Sequence, residues 1–573
     1  MRYHALAVDY DGTIAHHGKV PHHVVDALKK VKASKRKILL VTGRELDELK
    51  EIFPAHNIFD LIVAENGALI YDPSTAEETK LGETPPGTFV DELRRRGVQP
   101  ISTGRVIVAT WEPYHHVALE VIKNSGIERQ VIFNKGAVMI LPPGVNKATG
   151  LEAALKKMEM SMHNVAAVGD AENDTAMFLT AECSVAVANA LPAVKEQADW
   201  VTDADHGEGV IAVIDQLLKD DLINLETKLQ RHHLLLGKTE ADKDFFVSPY
   251  RNGILLAGTS GGGKTTLTVS FVEALAAKKY QFCLVDPEGD YSELTECVTV
   301  GDATHSPQLD EITTILKDSS QNVVICLLGI KLNDRPSFIK NLMAELGKLI
   351  SSKGHPHWLI LDEVHHLFPI EVESSFFNIP ADMKNFLMIT LSPDQVNKKL
   401  IQQADMQVLV GDNPQEALHK FGQVQEFPAE NISINALPKG EAWIWNLQPG
   451  AKPFVITLTK PQHLLQRHKK KYATGDMKGN SFYFTGPERK LNLKAQNLAF
   501  FSQVAEGIDD ETWMFHLKRN DYSNWIRNAV GDRELADLVL KEEKHNNNAM
   551  ATKRNILKSI EEKYTLGKNN ASK

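Results

Sequence analysis

The stretch from Ile254 to Ala277 restricts the fold of this chain more than any other. Ile254-Leu255-Leu256-Ala257 is a short apolar run with the length and composition of a buried strand. It leads into Gly258-Thr259-Ser260-Gly261-Gly262-Gly263-Lys264-Thr265, which meets every fixed position of the pattern G-x-x-x-x-G-K-S/T. A helix is predicted from Thr265 through Ala277. Such a strand–loop–helix unit belongs to an α/β fold. Its glycines let backbone N–H groups converge on a polyphosphate, Lys264 is placed to reach the β- and γ-phosphates, and the Thr265 hydroxyl suits Mg2+. The helix N-terminus adds positive potential. Gly258, Gly261, Gly262, Gly263, Lys264, Thr265 and the adjoining Thr266 are therefore the expected nucleotide-binding residues.

The chain has 573 residues, enough for roughly three or four domains. A net charge of −10 argues against a general nucleic-acid binder and leaves room only for local basic patches. Cys183, Cys283, Cys297 and Cys326 are scattered without a C-x-x-C pair, which speaks against a disulfide framework or a zinc site and suits a reducing compartment. No apolar run is long enough to span a bilayer. The opening MRYHALAVDYDG runs straight into a strand rather than a signal peptide, so a cytoplasmic location without membrane attachment is expected. No internal repeat is visible.

A second phosphate chemistry is written upstream. The apolar strand Tyr3–Val8 ends in Asp9-Tyr10-Asp11-Gly12-Thr13. Asp9 is positioned to attack phosphorus, and Asp11 to protonate the leaving oxygen and then activate water. A strand end directs both at one crevice. A second strand, Ile38–Val41, ends in Thr42-Gly43-Arg44, where the Thr42 hydroxyl is suited to a phosphate oxygen. Val145-Asn146-Lys147 opens a helix and offers the Lys147 ammonium. Val165–Val168 leads to Gly169-Asp170-Ala171-Glu172-Asn173-Asp174, whose carboxylates suit Mg2+.

These four ordered motifs resemble the haloacid dehalogenase (HAD) phosphatases, in particular the Cof-like sugar-phosphatase branch. Ala64–Ala68, Val185–Ala190, Val194-Lys195 and Ala198–Thr202 add to the resemblance. It implies Asp9 as nucleophile, Asp11 as acid and base, and Thr42 and Lys147 as phosphate holders. It also implies Mg2+ held by Asp9, Asp11 through its carbonyl, and Asp170, with Asn173 and Asp174 in support. A Rossmann-like core over residues 1–222 would carry a small substrate-selecting α+β cap at about 82–142. The cap is predicted as helices Thr88–Arg96 and Pro113–Asn124 with strands Arg105–Thr110, Gln130–Phe133 and Ala137–Leu141. Trp111, Glu112, His115 and His116 lie at a strand-to-helix turn in it, either touching substrate or serving as ordinary turn residues.

Residues 223–249 are expected to form a helical linker and an entry strand, with helix over Val213–Leu236, a polar loop Glu240–Asp244 and a strand Phe245–Val247. Beyond the glycine-rich loop come predicted strands Tyr280–Val285, Asn322–Leu328 and His357–Leu361 and a helix Arg335–Ile350. The acidic pair Asp362-Glu363 follows; Asp362 would order the Mg2+ shell and Glu363 would polarise the attacking water. Residues 250–462 resemble the HerA/FtsK-like P-loop ATPases through Gly258–Thr265, Asp286–Tyr291 and Asp362-Glu363-Val364-His365-His366. That branch often carries Thr-Gln after the next strand, here Phe386–Ile389, whereas this chain has Thr390-Leu391-Ser392. The resemblance implies ATP hydrolysis and a homo-oligomer, with a ring as one arrangement and Arg335 as the candidate arginine lent to a neighbour. His365 and His366 are expected to pack behind the acidic pair.

Residues 463–573 are expected to form a basic segment, Arg467–Lys471, and a small, mostly helical domain with a frayed tail. Trp513, Phe515, Tyr522, Trp525 and Ile526 recur at helical spacing as its core. The overall expectation is a multidomain α/β protein: a Mg2+-dependent phosphomonoesterase acting on a small phosphorylated substrate, joined to an ATPase that controls assembly or phosphatase access. The principal alternative is an ATP-driven nucleic-acid motor, or an end-processing or defence enzyme whose HAD domain removes phosphate from DNA or RNA ends. A kinase–phosphatase for nucleic-acid ends and a nucleotide-gated scaffold with an idle phosphatase rank lower.

Overall fold

The computed structural model describes residues 1–250, 252–259, 261–370, 383–425, 432–448, 450–461, 481–487, 491–530, 532–545 and 548–564. The chain divides into two compact units, residues 1–463 and 464–573.

The first unit holds two large sheets. In the N-terminal one, β1 (Ala5–Val8), β2 (Lys37–Val41), β3 (Leu61–Ala64), β4 (Leu69–Asp72) and β5 (Glu77–Lys80) come first in the chain. The cap strands follow: β6 (Ser102–Thr103), β7 (Val108–Trp111), β8 (Gln130–Asn134) and β9 (Ala137–Leu141). The chain then returns to the first sheet with β10 (Val165–Gly169), β11 (Cys183–Ala186) and β12 (Trp200–Val201), giving the order β12-β11-β10-β1-β2-β3-β4-β5. The strands from β12 to β3 are parallel, and β4 and β5 are antiparallel. Every residue of β1, β3, β10 and β11 is buried, as apolar runs covered on both faces by helices require. With β10 on one side of β1 and β2 on the other, three carboxyl ends open onto one crevice.

The cap strands form an antiparallel sheet in the order β6-β7-β9-β8. Helices Gly87–Arg95 and His115–Ser125 pack on it through Phe89, Leu93, Ala118 and Val121. The buried Glu65 ties cap to core: its carboxylate accepts the backbone N–H groups of Arg105 (2.7 Å), Val106 (2.8 Å) and Ile107 (3.0 Å).

The expected linker helix is corrected. The helix His206–Asp220 stops where Asp221 and Leu222 take left-handed φ values of 59° and 57°. Two 3-10 turns follow, and then an antiparallel hairpin of β13 (Leu234–Thr239) and β14 (Asp244–Val247). Leu234 and Leu236 are buried with Leu235 exposed between them, a period of two within three identical residues that carry no visible period.

The second sheet continues with β15 (Gly253–Gly258), β16 (Phe282–Asp286), β17 (Cys297–Val300), β18 (Asn322–Cys326), β19 (Trp358–Leu361), β20 (Phe386–Thr390), β21 (Met406–Val410), β22 (Glu441–Asn446) and β23 (Phe454–Leu458). Its order is β14-β13-β23-β22-β21-β15-β20-β19-β16-β18-β17, parallel from β21 to β17 and antiparallel beyond. The helix Lys264–Ala277 follows β15, and Arg335–Lys353 precedes β19.

In the second unit, a two-stranded ribbon of β24 (Phe482–Phe484) and β25 (Leu493–Ala495) accompanies helices Leu498–Gly507, Asp510–Lys518, Asp521–Trp525, Arg533–His545 and Ala549–Tyr564. Trp513, Tyr522, Trp525 and Ile526 are buried together with Phe482, Phe484 and Phe501. Phe515 is only half-buried. One residue on, His516 turns inward instead, paired with Asp521 at 2.8 Å and accepting the Thr485 N–H at 3.1 Å. The basic segment Arg467–Lys471, the tail beyond 564 and Ser260 of the glycine-rich loop lie outside the described residues. Among the described residues no helix is long and apolar enough to cross a membrane.

Candidate active site

At the carboxyl end of β1, the Asp9 N–H donates to the Val168 carbonyl (3.0 Å), which fixes its carboxylate beside the end of β10. Lys147 is the first residue of the helix Lys147–Lys157, whose start is held by a capping box between Asn146 and Thr149. Its ammonium is buried and donates to Asp9 Oδ1 and Asp174 Oδ1, both at 2.6 Å. Asp174 Oδ2 accepts the N–H groups of Asp170 (2.9 Å) and Ala171 (3.0 Å). Ligand atoms of Asp9, Asp170 and Asp174 lie within 4.8 Å of one another. Gly12 has φ +85°, and a Cβ there would fall 2.2 Å from Asp170 Oδ2, so the turn after Asp9 admits only glycine.

Burial pushes the Asp9 carboxyl up to about 8; Lys147 pulls it down, and Asp174 and Asp170 add to the rise. Burial likewise raises Asp170, against the pull of Lys135. Burial works against the Lys147 ammonium, but Asp174 and Asp9 outweigh it and raise its pKa. The burial and mutual repulsion that raise Asp9 and Asp170 are relieved by a further cation, and the hard oxygen donors of the cluster fit Mg2+.

Asp11 stands apart from this cluster. Arg44 forks its carboxylate, Nε to Oδ2 at 2.6 Å and Nη2 to Oδ1 at 2.7 Å. The buried Thr42 Oγ1 accepts the Arg44 N–H at 3.1 Å. Asn173 is hydrogen-bonded to Asn66 at 3.0 Å, and Asn189 reaches the Gly12 carbonyl at 2.7 Å. Sequence reasoning missed the role of Arg44, although it directly follows the Thr42 motif. It also missed Lys135, whose ammonium descends from the β8–β9 turn of the cap to Asp170 Oδ2 at 2.6 Å. A lysine in a polar hairpin turn carries no signal of that reach. Trp111 is 52% exposed on the cap.

The second sheet gathers another set. Gly261 and Gly263 have φ values of 76° and 106°, and Gly263 caps the helix Lys264–Ala277. The buried Lys264 Nζ donates to the carbonyls of Gly258 (3.0 Å) and Thr259 (3.2 Å). Thr265 is half-buried and Thr266 exposed. Asp362 and Glu363 follow β19, one strand removed from β15, with β20 between them. Both are buried; Asp362 Oδ1 accepts the Glu363 N–H at 2.9 Å, and Glu363 takes a left-handed φ of 44°. His365 Nδ1 lies 3.1 Å from Thr390 Oγ1 and 3.5 Å from Glu363 Oε2, so this histidine does pack against the acidic pair. Burial, then His366 and Lys264, lower His365 to about 4. Asp286 is spent on its own turn, accepting the N–H groups of Gly289 (2.8 Å) and Tyr291 (2.9 Å). The Arg335 guanidinium turns onto the carbonyls of Leu327 (3.0 Å) and Ile330 (3.3 Å) of its own chain.

A Rossmann-like sheet that brings an aspartate nucleophile candidate, a buried lysine and a carboxylate cluster to one crevice is the architecture of an aspartate-based hydrolase. The sequence profile of the haloacid dehalogenase-like hydrolases matches residues 6–85 and 101–214. A phosphoglycolate phosphatase of Methanothermobacter thermautotrophicus is 32% identical over 219 residues, 37% of this chain and 96% of that protein. One of Methanosarcina acetivorans is 28% identical over 222 residues, 38% of this chain and 97% of that protein. A haloacid dehalogenase-like hydrolase crystal structure from Bacteroides thetaiotaomicron is 19% identical, covering 38% of this chain and 100% of its own, with a TM-score of 0.33. Through its N-terminal region, the chain belongs to the haloacid dehalogenase-like hydrolase family.

Proposed function

We propose that residues 1–222 form a Mg2+-dependent phosphomonoesterase for a small phosphorylated acid of the phosphoglycolate type. The observation that carries this reading is the Lys147 ammonium bridging Asp9 and Asp174 beside the carboxyl ends of β1 and β10. The similarity to phosphoglycolate phosphatases supports the substrate class. So does Lys135, a cap cation suited to a substrate carboxylate.

Asp9, Asp170 and Asp174, with the Asp11 carbonyl, are the residues to hold Mg2+, which when bound neutralises charge on the phosphoryl oxygens. An Asp9 carboxylate oxygen attacks phosphorus and the P–O bond to the substrate breaks, while Asp11, released from the Arg44 fork and protonated from solvent, gives its proton to the leaving alkoxide. Thr42 and Lys147 hold the phosphoryl oxygens. Asp11 then takes a proton from water, whose oxygen attacks the acyl phosphate, releasing phosphate and restoring Asp9. With the purified full chain and Mg2+, 2-phosphoglycolate, sugar phosphates and an aryl phosphate should be compared by phosphate release. Asp9→Asn is expected to lose at least about 10³-fold in turnover. Unchanged turnover would remove the reading.

For residues 250–462 our reading is ATP binding and hydrolysis. The loop Gly258–Thr265 with Thr266 would cradle the phosphates, Thr265 and Asp362 would hold Mg2+, and Glu363 would orient water. Support comes from the left-handed glycines at the helix start and the buried acidic residues two strands away. The helix Lys264–Ala277 begins at this loop, and just past its far end Lys278 and Tyr280 touch His163 and Glu182 of the N-terminal region. A rigid element thus joins the glycine-rich loop to the N-terminal region, which favours control of phosphatase access or assembly by ATP. Lys264→Ala should abolish ATP hydrolysis. Phosphatase activity and particle size that ignore both ATP and this substitution would end the coupling idea.

A further inference from the structure

Three buried side chains converge away from both sites. His163 lies on the 3-10 turn before β10, Glu182 just before β11, and His232 on the linker turn Gln230–His232. They are 7%, 0% and 6% exposed, and one ligand atom from each lies within 4.8 Å of the others. The His163 Nε2 is 2.8 Å from the Lys278 carbonyl. A carbonyl only accepts, so Nε2 carries the proton and donates. Its Nδ1 faces Glu182 Oε2 at close range. In a neutral ring that nitrogen presents a lone pair to a carboxylate oxygen, and either a second proton or a metal ion reconciles the two. The His232 Nε2 is buried with no hydrogen-bond partner.

We infer that His163, Glu182 and His232 form a Zn2+ site that fastens the linker to the N-terminal sheet. Two imidazoles and one carboxylate are a zinc donor set, unlike the all-oxygen cluster at Asp9. The outer groups are those that orient metal ligands: the Lys278 carbonyl on His163, the Arg2 guanidinium on Glu182 Oε1 (2.7 Å), and the Tyr280 hydroxyl shared between Glu182 Oε1 (3.2 Å) and Oε2 (3.0 Å). Tyr280 also stacks on the His163 ring at 3.7 Å. A cavity of about 360 Å³, lined in part by Arg2, His163, Tyr280 and His357, borders the cluster at His163.

The test uses the full chain, stripped with a chelator, saturated with Mg2+ and then given Zn2+ alone or Co2+ alone. One equivalent of Zn2+ should survive desalting and raise the thermal transition, and Co2+ should give the visible absorption of a four-coordinate, imidazole-bound ion. His232→Gln should weaken Zn2+ binding at least about 10-fold and leave phosphate release unchanged. Asp170→Asn should retain the Zn2+. No retained Zn2+ and no such Co2+ spectrum in the unmodified chain would show a metal-free ion-pair cluster and overturn the proposal. Zn2+ lost in Asp170→Asn but kept in His232→Gln would overturn it too.

Discussion

Lys147 donates to two buried carboxylates at once, and its loss leaves both without their cation. Removing one partner of a buried pair costs about 3–5 kcal/mol, because the remaining charge stays in a poor dielectric. Lys147→Met is therefore expected to abolish phosphate release and to lower stability by about 3 kcal/mol. Hydrogen exchange in β1 reads the stability, and added Mg2+ should restore part of it. Stability equal to that of the unmodified chain would contradict the bridging role. The positions brought together here, Asp9, Lys147, Asp170 and Asp174, were legible because each sits at a strand end or helix start that its own sequence marks. Arg44 and Lys135 were not, because a guanidinium or ammonium on a long stem acts several ångströms from its backbone and its target is set by tertiary structure. Asp11 was legible as a residue, but its engagement by Arg44 was not.

The elements themselves read best where burial is two-sided. The runs Ala5–Val8, Ile254–Ala257 and Trp358–Leu361 have no polar interruption, and each is a fully buried parallel strand. The linker failed because Leu234-Leu235-Leu236 satisfies a helical and an extended pattern equally, and only pairing with β14 and β23 decides it. The cap reads as an insertion, but the latch that seats it does not. Glu65 takes a left-handed φ of 53° and points its carboxylate at three N–H groups of the returning chain. Hydrogen bonds to a charged acceptor contribute about 1.5–3 kcal/mol each, and buried donors left unmet add to the loss. Glu65→Ala should therefore loosen the cap. Amide exchange at Arg105, Val106 and Ile107 should accelerate at least 10-fold, and the KM for a small phosphate ester should rise. Unchanged exchange at those three amides would mean that the cap is seated by its apolar contacts alone.

At the scale of the first unit, the two sheets meet along a seam that the sequence did not announce. Asn164 donates to the Gly354 carbonyl (3.0 Å), His355 pairs with the Glu159 carbonyl (2.9 Å), and the Arg2 guanidinium lies 3.2 Å above the Tyr250 ring. Each partner is remote in sequence and none belongs to a motif, so nothing local marks the contact. His4 lies beside this seam, buried, its N–H donating to the Asn164 carbonyl at 2.8 Å and its Nε2 3.1 Å from the Met1 carbonyl. Burial lowers its pKa to about 4; the Met1 amine and, less, Arg36 add to the fall, while the Met1 carbonyl and Asp221 oppose it. The folded state thus prefers the neutral ring. That contribution is complete above the unfolded pKa of about 6.5 and is lost progressively as pH falls toward 4. A shift of this size corresponds to roughly 3 kcal/mol. Between pH 6.5 and about 4 the pH slope of β1 amide protection in His4→Gln should therefore differ from that of the unmodified chain by up to one proton, the variant losing less protection on acidification. A slope identical in the two proteins would show that the seam draws its acid sensitivity from other groups.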